Sequence, residues 1–298
     1  MRILISGASG LIGTALSDSL NAAGHTVNRL VRRQPATGEY AWDPKAGKLD
    51  PAALAECDAV INLSGAGIGD KRWTDDYKRE LLESRVSATE LLATTMAALD
   101  RKPSAFLSGS AVGWYGDRGD ERLDELSAPG NDFLSGLCQK WEAATAPAED
   151  AGIRTVHLRT GIVLSRRGGA LKKQLPLFKL GLGGRFGNGH QWQSWISLDD
   201  EVAAILHLLT SDICGAVDLT APNPVTNLEF TSTLAKVLHR PAVLPVPMFG
   251  PKLLLGSELS TTLLLSSQRA LPTALLRSGY EFEHQTLDAA LRDVLRRQ

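Results

Sequence analysis

The chain has 298 residues, 43% of them hydrophobic and 22% charged, with a formal net charge of −1 and three cysteines. That length supports one large domain, or a large domain with a smaller appendage, around a sizeable core. The near-neutral balance offers no global positive field for nucleic acid or an acidic bilayer. Cys57, Cys138 and Cys214 fit neither a disulfide framework nor a zinc cluster, so reduced thiols and a cytoplasmic location are expected.

Along the chain, short apolar runs predict strands at Ile3–Ser6, Thr26–Leu30, Ala59–Leu63, Ala105–Ser108 and Thr155–Leu158. Helical spacing predicts helices beginning near Leu11, Asp75, Asp132 and Asp199. The first apolar run is too short for a signal peptide. No uncharged apolar stretch reaches the roughly 18 residues a membrane span needs. The nearest candidate, "KLLLGSELSTTLLLSS" from Lys252 to Ser267, is broken by Gly256 and Glu258 and is expected as a buried or interface helix. Strands alternating with helices specify an α/β fold, a Rossmann-type doubly wound parallel sheet. After Gly168 the chain turns rich in glycine and lysine, and from about Ala221 prolines punctuate short elements. The expected division is a nucleotide-binding domain over 1–220, with a substrate-loop insertion around 165–198, and a smaller C-terminal substrate lobe over 221–298. Such a lobe would close over the carboxyl ends of the strands, where open α/β sheets bind ligands.

"ILISGASGLIGTAL" places Gly7, Gly10 and Gly13 between a strand and a helix. Gly7 permits a tight turn, Gly10 lets backbone amides approach a pyrophosphate, and Gly13 lets helix and strand pack closely. Ser9, Gly10, Leu11 and Ile12 are thereby expected at the cofactor. The next strand discriminates between cofactors. An NAD-binding site usually ends this strand with a carboxylate for the ribose hydroxyls, yet no Asp or Glu occurs from His25 to Gln34. Arg32 and Arg33 stand there instead, and guanidinium groups suit a 2′-phosphate. NADP(H) is the expected cofactor, and no metal is expected.

With "DAVINLSGAGI" and "FLSGSAVGWYGD" added to the glycine turn, the chain resembles the extended short-chain dehydrogenase/reductase family. More narrowly, it is similar to the atypical "epimerase family" branch of nucleoside-diphosphate-sugar-epimerase-like proteins. Stretches such as "GDKRWTDDYKRELLESRVSAT", "LRTGIVLSRRGGAL" and "LGLGGRFGNGHQWQSWISLDD" extend the resemblance over nearly the whole chain. The resemblance implies that Leu63, Ser64 and Gly65 pass the cofactor riboses. It also implies that Thr160, Gly161 and Val163 line the nicotinamide carboxamide. Glu80 and Arg85 are implied on the cofactor too, although five positions place them about 140° apart around a helix and a charged surface is the alternative. Asp199 or Asp200 is expected to accept amide hydrogen bonds at a helix start.

Active relatives pair a serine with Tyr-x-x-x-Lys, the lysine lowering the phenol's proton affinity toward neutral pH. Ser110 occupies the serine position. Aligning Glu142 with the glutamate that follows this motif puts Leu134 at the tyrosine position and Cys138 at the lysine position, and neither can do that chemistry. Lys140 is turned about 200° around the helix from position 138. Tyr115 is the candidate substitute acid, Ser110 and Tyr115 together forming the expected catalytic pair, with Cys138, His190, Lys172 and Lys173 as lesser candidates. Two readings remain. One is an NADP-dependent oxidoreductase or epimerase lacking the Tyr-x-x-x-Lys pair and acting on a small polar substrate such as a nucleotide sugar. The other is an NADPH-sensing binding protein. A homodimer is compatible with either.

Overall fold

Ile3, Leu4 and Ile5 are all fully buried, the pattern of a parallel strand covered on both faces. In the computed structural model, which describes residues 1–242 and 244–296, this strand lies inside an eight-stranded sheet. The strands are β1 (Arg2–Ser6), β2 (Thr26–Val31), β3 (Glu39–Asp43), β4 (Lys48–Leu49), β5 (Ala59–Asn62), β6 (Ala105–Ala111), β7 (Arg154–Thr160) and β8 (Gly215–Leu219). Their spatial order is β8-β7-β6-β5-β1-β2-β3-β4. All neighbours run parallel except β3 and β4, and the register sets Ile5 between Arg29 and Ile61. The order reverses between β1 and β5, which opens a crevice at the carboxyl ends of those two strands. Sequence reading located five of these strands. It missed the short edge strands β3 and β4, and β8, which carries only one apolar residue pair among small and charged ones.

Alternate residues feed opposite layers. Ile3, Ile5, Ile61, Leu107 and Val156 pack with Leu16 and Leu20 of α1 (Leu11–Ala22), while Leu4, Val60 and Phe106 pack with Leu92 and Met96 of α2 (Asp75–Ala97). The third helix, α3 (Phe133–Ala143), starts where Asp132 accepts the Ser135 N–H at 2.8 Å. The fourth, α4 (Leu198–Thr210), is capped by Ser197 and covers the first face with Ile205 and Leu208.

A separate core forms from Leu171, Leu175, Phe178, Trp195, Phe230, Leu234, Leu287 and Leu291. The 165–198 segment, expected as an insertion of the nucleotide-binding domain, thus shares a core with the smaller lobe, contributing Leu171, Leu175, Phe178 and Trp195 to it. The lobe is latched by Asp200, whose carboxylate accepts the N–H groups of Glu283 at 2.8 Å and His284 at 3.0 Å. The cap of its own helix is Ser197, which accepts the Asp200 N–H at 3.0 Å, so the amides that Asp200 accepts belong to the lobe and not to the helix start where they were expected. The Lys252–Ser267 stretch forms two helices, Phe249–Leu255 and Ser257–Leu265, separated at Gly256 with φ +89°. The first buries no residue, Leu253 and Leu254 facing solvent, so of the two expected forms, buried or interface helix, the buried one does not hold there. Among the described residues no helix is long and apolar enough to cross a membrane.

Candidate functional site

The turn after β1 is built to exclude side chains. Gly7 has φ +73°, and a Cβ there would stand 2.5 Å from the Leu63 carbonyl oxygen; a Cβ on Gly13 would stand 2.3 Å from the Gly7 oxygen. α1 consequently starts hard against the sheet, with Gly10 as N-cap and no side-chain cap or acidic residue in the first turn. Its first N–H groups therefore have no intrahelical acceptor and present a ready site for a phosphate. In front of them lies a cleft of about 540 Å³ lined by Gly7, Ser9, Gly10, Arg32, Leu63, Ser64, Gly65 and Glu80 among others. The missing Cβ atoms and open amides fit a dinucleotide. Leu11 and Ile12 contribute backbone only: the Leu11 side chain packs against Gly168, and Ile12 against the core.

The cleft is also lined by Arg32 and Lys45, both exposed and without an ion pair among the described residues. Asp43 also lies here, but it accepts the N–H groups of Lys45 and Ala46, so its charge serves the β3–β4 turn. Arg33 is engaged elsewhere. Its guanidinium bonds Glu39 at 2.6 Å and holds that carboxyl below the usual range, so of the two arginines expected at the cofactor only Arg32 is without an ion pair. Lys45 has no signal in the sequence, because the β3–β4 hairpin that presents it was not foreseen. Glu80 sits on the rim, paired with Lys71 at 3.3 Å.

A second cavity, of about 240 Å³, lies between α3 and the smaller lobe. Ala111, Val112, Gly113, Leu134, Cys138 and Trp141 form one wall; Gly161, Ile162, Trp192, Gln193, Thr262 and Leu263 form the other. Leu134 and Cys138 are therefore at the cavity, as their alignment with tyrosine and lysine implies. Burial pushes the Cys138 thiol up to about 12, which keeps it protonated and rules out a thiolate role at neutral pH. Arg85 belongs to this cavity rather than to the cofactor cleft. It is 8% exposed, donates to the carbonyl oxygens of Leu81 and Ala66 at 2.9 Å each, and lies 5.1 Å from the Trp141 ring.

Neither Ser110 nor Tyr115 lines either cavity, and this corrects the expected catalytic pair. The Ser110 hydroxyl donates to Glu142 at 2.6 Å. Glu142 is gripped by Arg159 through two bonds of 2.8 and 2.9 Å, and Arg159 reaches the Tyr115 hydroxyl at 3.3 Å. Tyr115 is fully buried and donates toward the Asp218 carboxylate and the Asp124 carbonyl. Burial, then the charge of Asp218, drives the phenol's proton affinity far up, the reverse of what an acid at neutral pH needs. Asp218 is itself raised by burial and by Glu125. This chain of contacts ties β6, β7, β8 and α3 together from residues far apart in sequence.

The remaining candidates separate similarly. Gly161 lines the second cavity, but Thr160 donates to Glu201 at 2.8 Å and Val163 packs on the core. Glu201 is fully buried, its second oxygen has no partner, and desolvation pushes it up to about 8. His190 is exposed beside a shallow pocket with Asp120 and Asn188. Lys173 donates to the Gly69 carbonyl at 2.9 Å and pairs with Asp70 at 3.6 Å, lining neither cavity.

Comparison with known proteins reports on both parts of the chain. Residues 3–216 match the model of the NAD dependent epimerase/dehydratase family, and residues 246–294 match a domain of unknown function, DUF1731. The chain is 45% identical over 291 residues to the epimerase family protein Mb2239 of Mycobacterium bovis, covering 97% of this chain and 96% of that one. It is similar to the crystal structure of human epimerase family protein SDR39U1 with NADPH, at 35% identity, a TM-score of 0.93 and full coverage of both chains. A structure described as the nucleoside-diphosphate sugar epimerase of Corynebacterium glutamicum is 38% identical with a TM-score of 0.80, covering 99% of this chain and 58% of that one.

Proposed function

The chain belongs to the NAD dependent epimerase/dehydratase family, and within it we propose that this protein binds NADP(H) in preference to NAD(H) and exchanges hydride with a small ligand in the adjoining cavity. Support for the cofactor comes from the relative crystallised with NADPH and from the cleft itself. The observation that carries the preference is the pair of cations without an ion pair, Arg32 and Lys45, lining the same cleft as the glycine turn. When bound, the nicotinamide would supply or accept hydride. The protein's part is to hold the pyrophosphate on the α1 amides, hold a 2′-phosphate by charge, and shelter the ligand from water beneath the lobe.

Nucleotide-sugar epimerisation is a poor fit to this site. It needs a group that takes and returns a sugar hydroxyl proton, whereas Leu134 and Cys138 occupy the relevant positions and Ser110 is held by Glu142. That same absence supports a second reading, a binding protein that reports NADPH to a partner.

Calorimetry with NADPH and NADH tests the preference. Arg32→Ala and Lys45→Ala are each expected to weaken NADPH binding by about tenfold, about 1.4 kcal/mol, and to leave NADH unchanged. Equal affinities for the two cofactors in the unaltered protein would refute the phosphate-site assignment. Bound NADPH that is oxidised by small carbonyl compounds supports the oxidoreductase; tight binding with no oxidation by any of them selects the sensor.

A further inference from the structure

We propose that the 240 Å³ cavity is a binding site for a small organic carboxylate with an apolar body, and that Arg85 is its counter-charge. This names the ligand of the cavity invoked above and rests on that reading only for the cofactor beside it.

Arg85 is the one charged side chain lining this cavity among the described residues. It is more than nine-tenths buried, and no described carboxylate lies within ion-pair distance of it. Nη1 and Nη2 meet neutral carbonyls, and Nε has no partner at all. Burial without a compensating anion pulls its proton affinity down to about 10. A buried cation without an anion is unfavourable, and a ligand carboxylate would relieve it through charge-assisted hydrogen bonds. The cofactor pyrophosphate does not supply that anion, because the amides that suit it lie at Gly10 and α1, in the other cleft.

Size and lining narrow the class. A cavity of about 150 Å³ takes benzene, while drug-sized ligands begin near 300 Å³. A nucleotide sugar is too large for this space, and its diphosphate would find one cation. Leu134, Trp141, Ile162, Trp192 and Leu263 favour an apolar or aromatic body. Gln193, whose buried Oε1 has no partner, can accept from a hydroxyl or amine on the ligand.

Benzoate and its neutral counterpart benzamide probe the proposal. Ligand-observed NMR and calorimetry would use the full-length protein with and without saturating NADPH. Benzoate is expected to bind at least about tenfold more tightly than benzamide. Arg85→Gln should erase that difference. Thr262→Trp, which plugs the cavity from the lobe without touching Arg85's carbonyl contacts, should abolish binding of both. Equal affinities in the unaltered protein, failure of both probes to bind, or a benzoate preference that survives Arg85→Gln would each overturn the assignment. NADPH affinity is read in the same samples. No benzoate preference in the unaltered protein with NADPH still bound removes this proposal alone, and benzoate selectivity without NADPH binding removes only the cofactor assignment.

Discussion

Arg159 and Arg85 lie almost wholly out of solvent, at 3% and 8% exposure, and each stands over a tryptophan, at 3.9 Å from Trp114 and 5.1 Å from Trp141. Arg159 meets Glu142 through two parallel hydrogen bonds. Burial disfavours its charge, but the Glu142 bonds and charge outweigh that, and its proton affinity rises. Arg85 has two carbonyl oxygens and no carboxylate, and its proton affinity falls. The first arginine is spent within the fold, with Ser110 and Tyr115 recruited to the same network. The second is left with an unmet requirement on the wall of a cavity. A residue's position in a family motif does not reveal which of these fates it has; its counter-charge does.

Breaking the paired region should give the largest effect. Glu142→Ala leaves the Arg159 charge buried and unpaired, and is expected to lower unfolding free energy by about 3–5 kcal/mol in urea titrations. Pairing it with Arg159→Met should recover part of that loss, since two apolar side chains carry no desolvation penalty. A loss no larger than that of an exposed ion pair would equate the two regions.

Glu201 provides an intermediate effect with a defined sign. Burial raises its folded carboxyl from the ordinary 4.5 to about 8, so the folded state binds this proton more tightly than the unfolded state does. Its contribution is fully present below about pH 4.5 and is lost as pH rises through about 8. Glu201→Gln should flatten that decline and make the variant relatively more stable at pH 8 than at pH 5. Parallel stability curves for the two proteins would show that Glu201 is not held neutral.

The smallest change in stability is expected where the fold has spent least. Arg85→Met removes an unpaired charge and the N–H donors to the Ala66 and Leu81 carbonyl oxygens, and these oppose each other. The net change should stay within about 1 kcal/mol by thermal unfolding. A loss as large as that of Glu142→Ala would mean that Arg85 is primarily structural.

Much of the architecture was legible from local pattern. β1, β2, β5, β6 and β7 are runs of apolar residues, and α1 to α4 carry helical periodicity with caps at Thr74, Asp132 and Ser197. β3, β4 and β8 were not legible, because their residues are small, charged or few and take strand form only from the neighbour they pair with. Part of the cleft could be read the same way. Gly7, Ser9 and Gly10 follow from a turn whose geometry is local, Leu63, Ser64 and Gly65 followed from the family resemblance, and Lys45 depends on the unforeseen hairpin.

What the sequence by itself determined is therefore the doubly wound sheet, the glycine turn, the arginine that follows β2, and the absence from α3 of a tyrosine with a lysine four residues after it. These are properties of short segments, fixed by periodicity and by the steric demand at single positions. Only the tertiary structure decided that Arg33 answers Glu39, that Ser110 and Tyr115 close onto Glu142 and Asp218, and that Arg85 faces a cavity without an anion. Each of those outcomes is set by which charges meet after chain segments from distant parts of the sequence pack together, and a buried charge is governed by its neighbours in space.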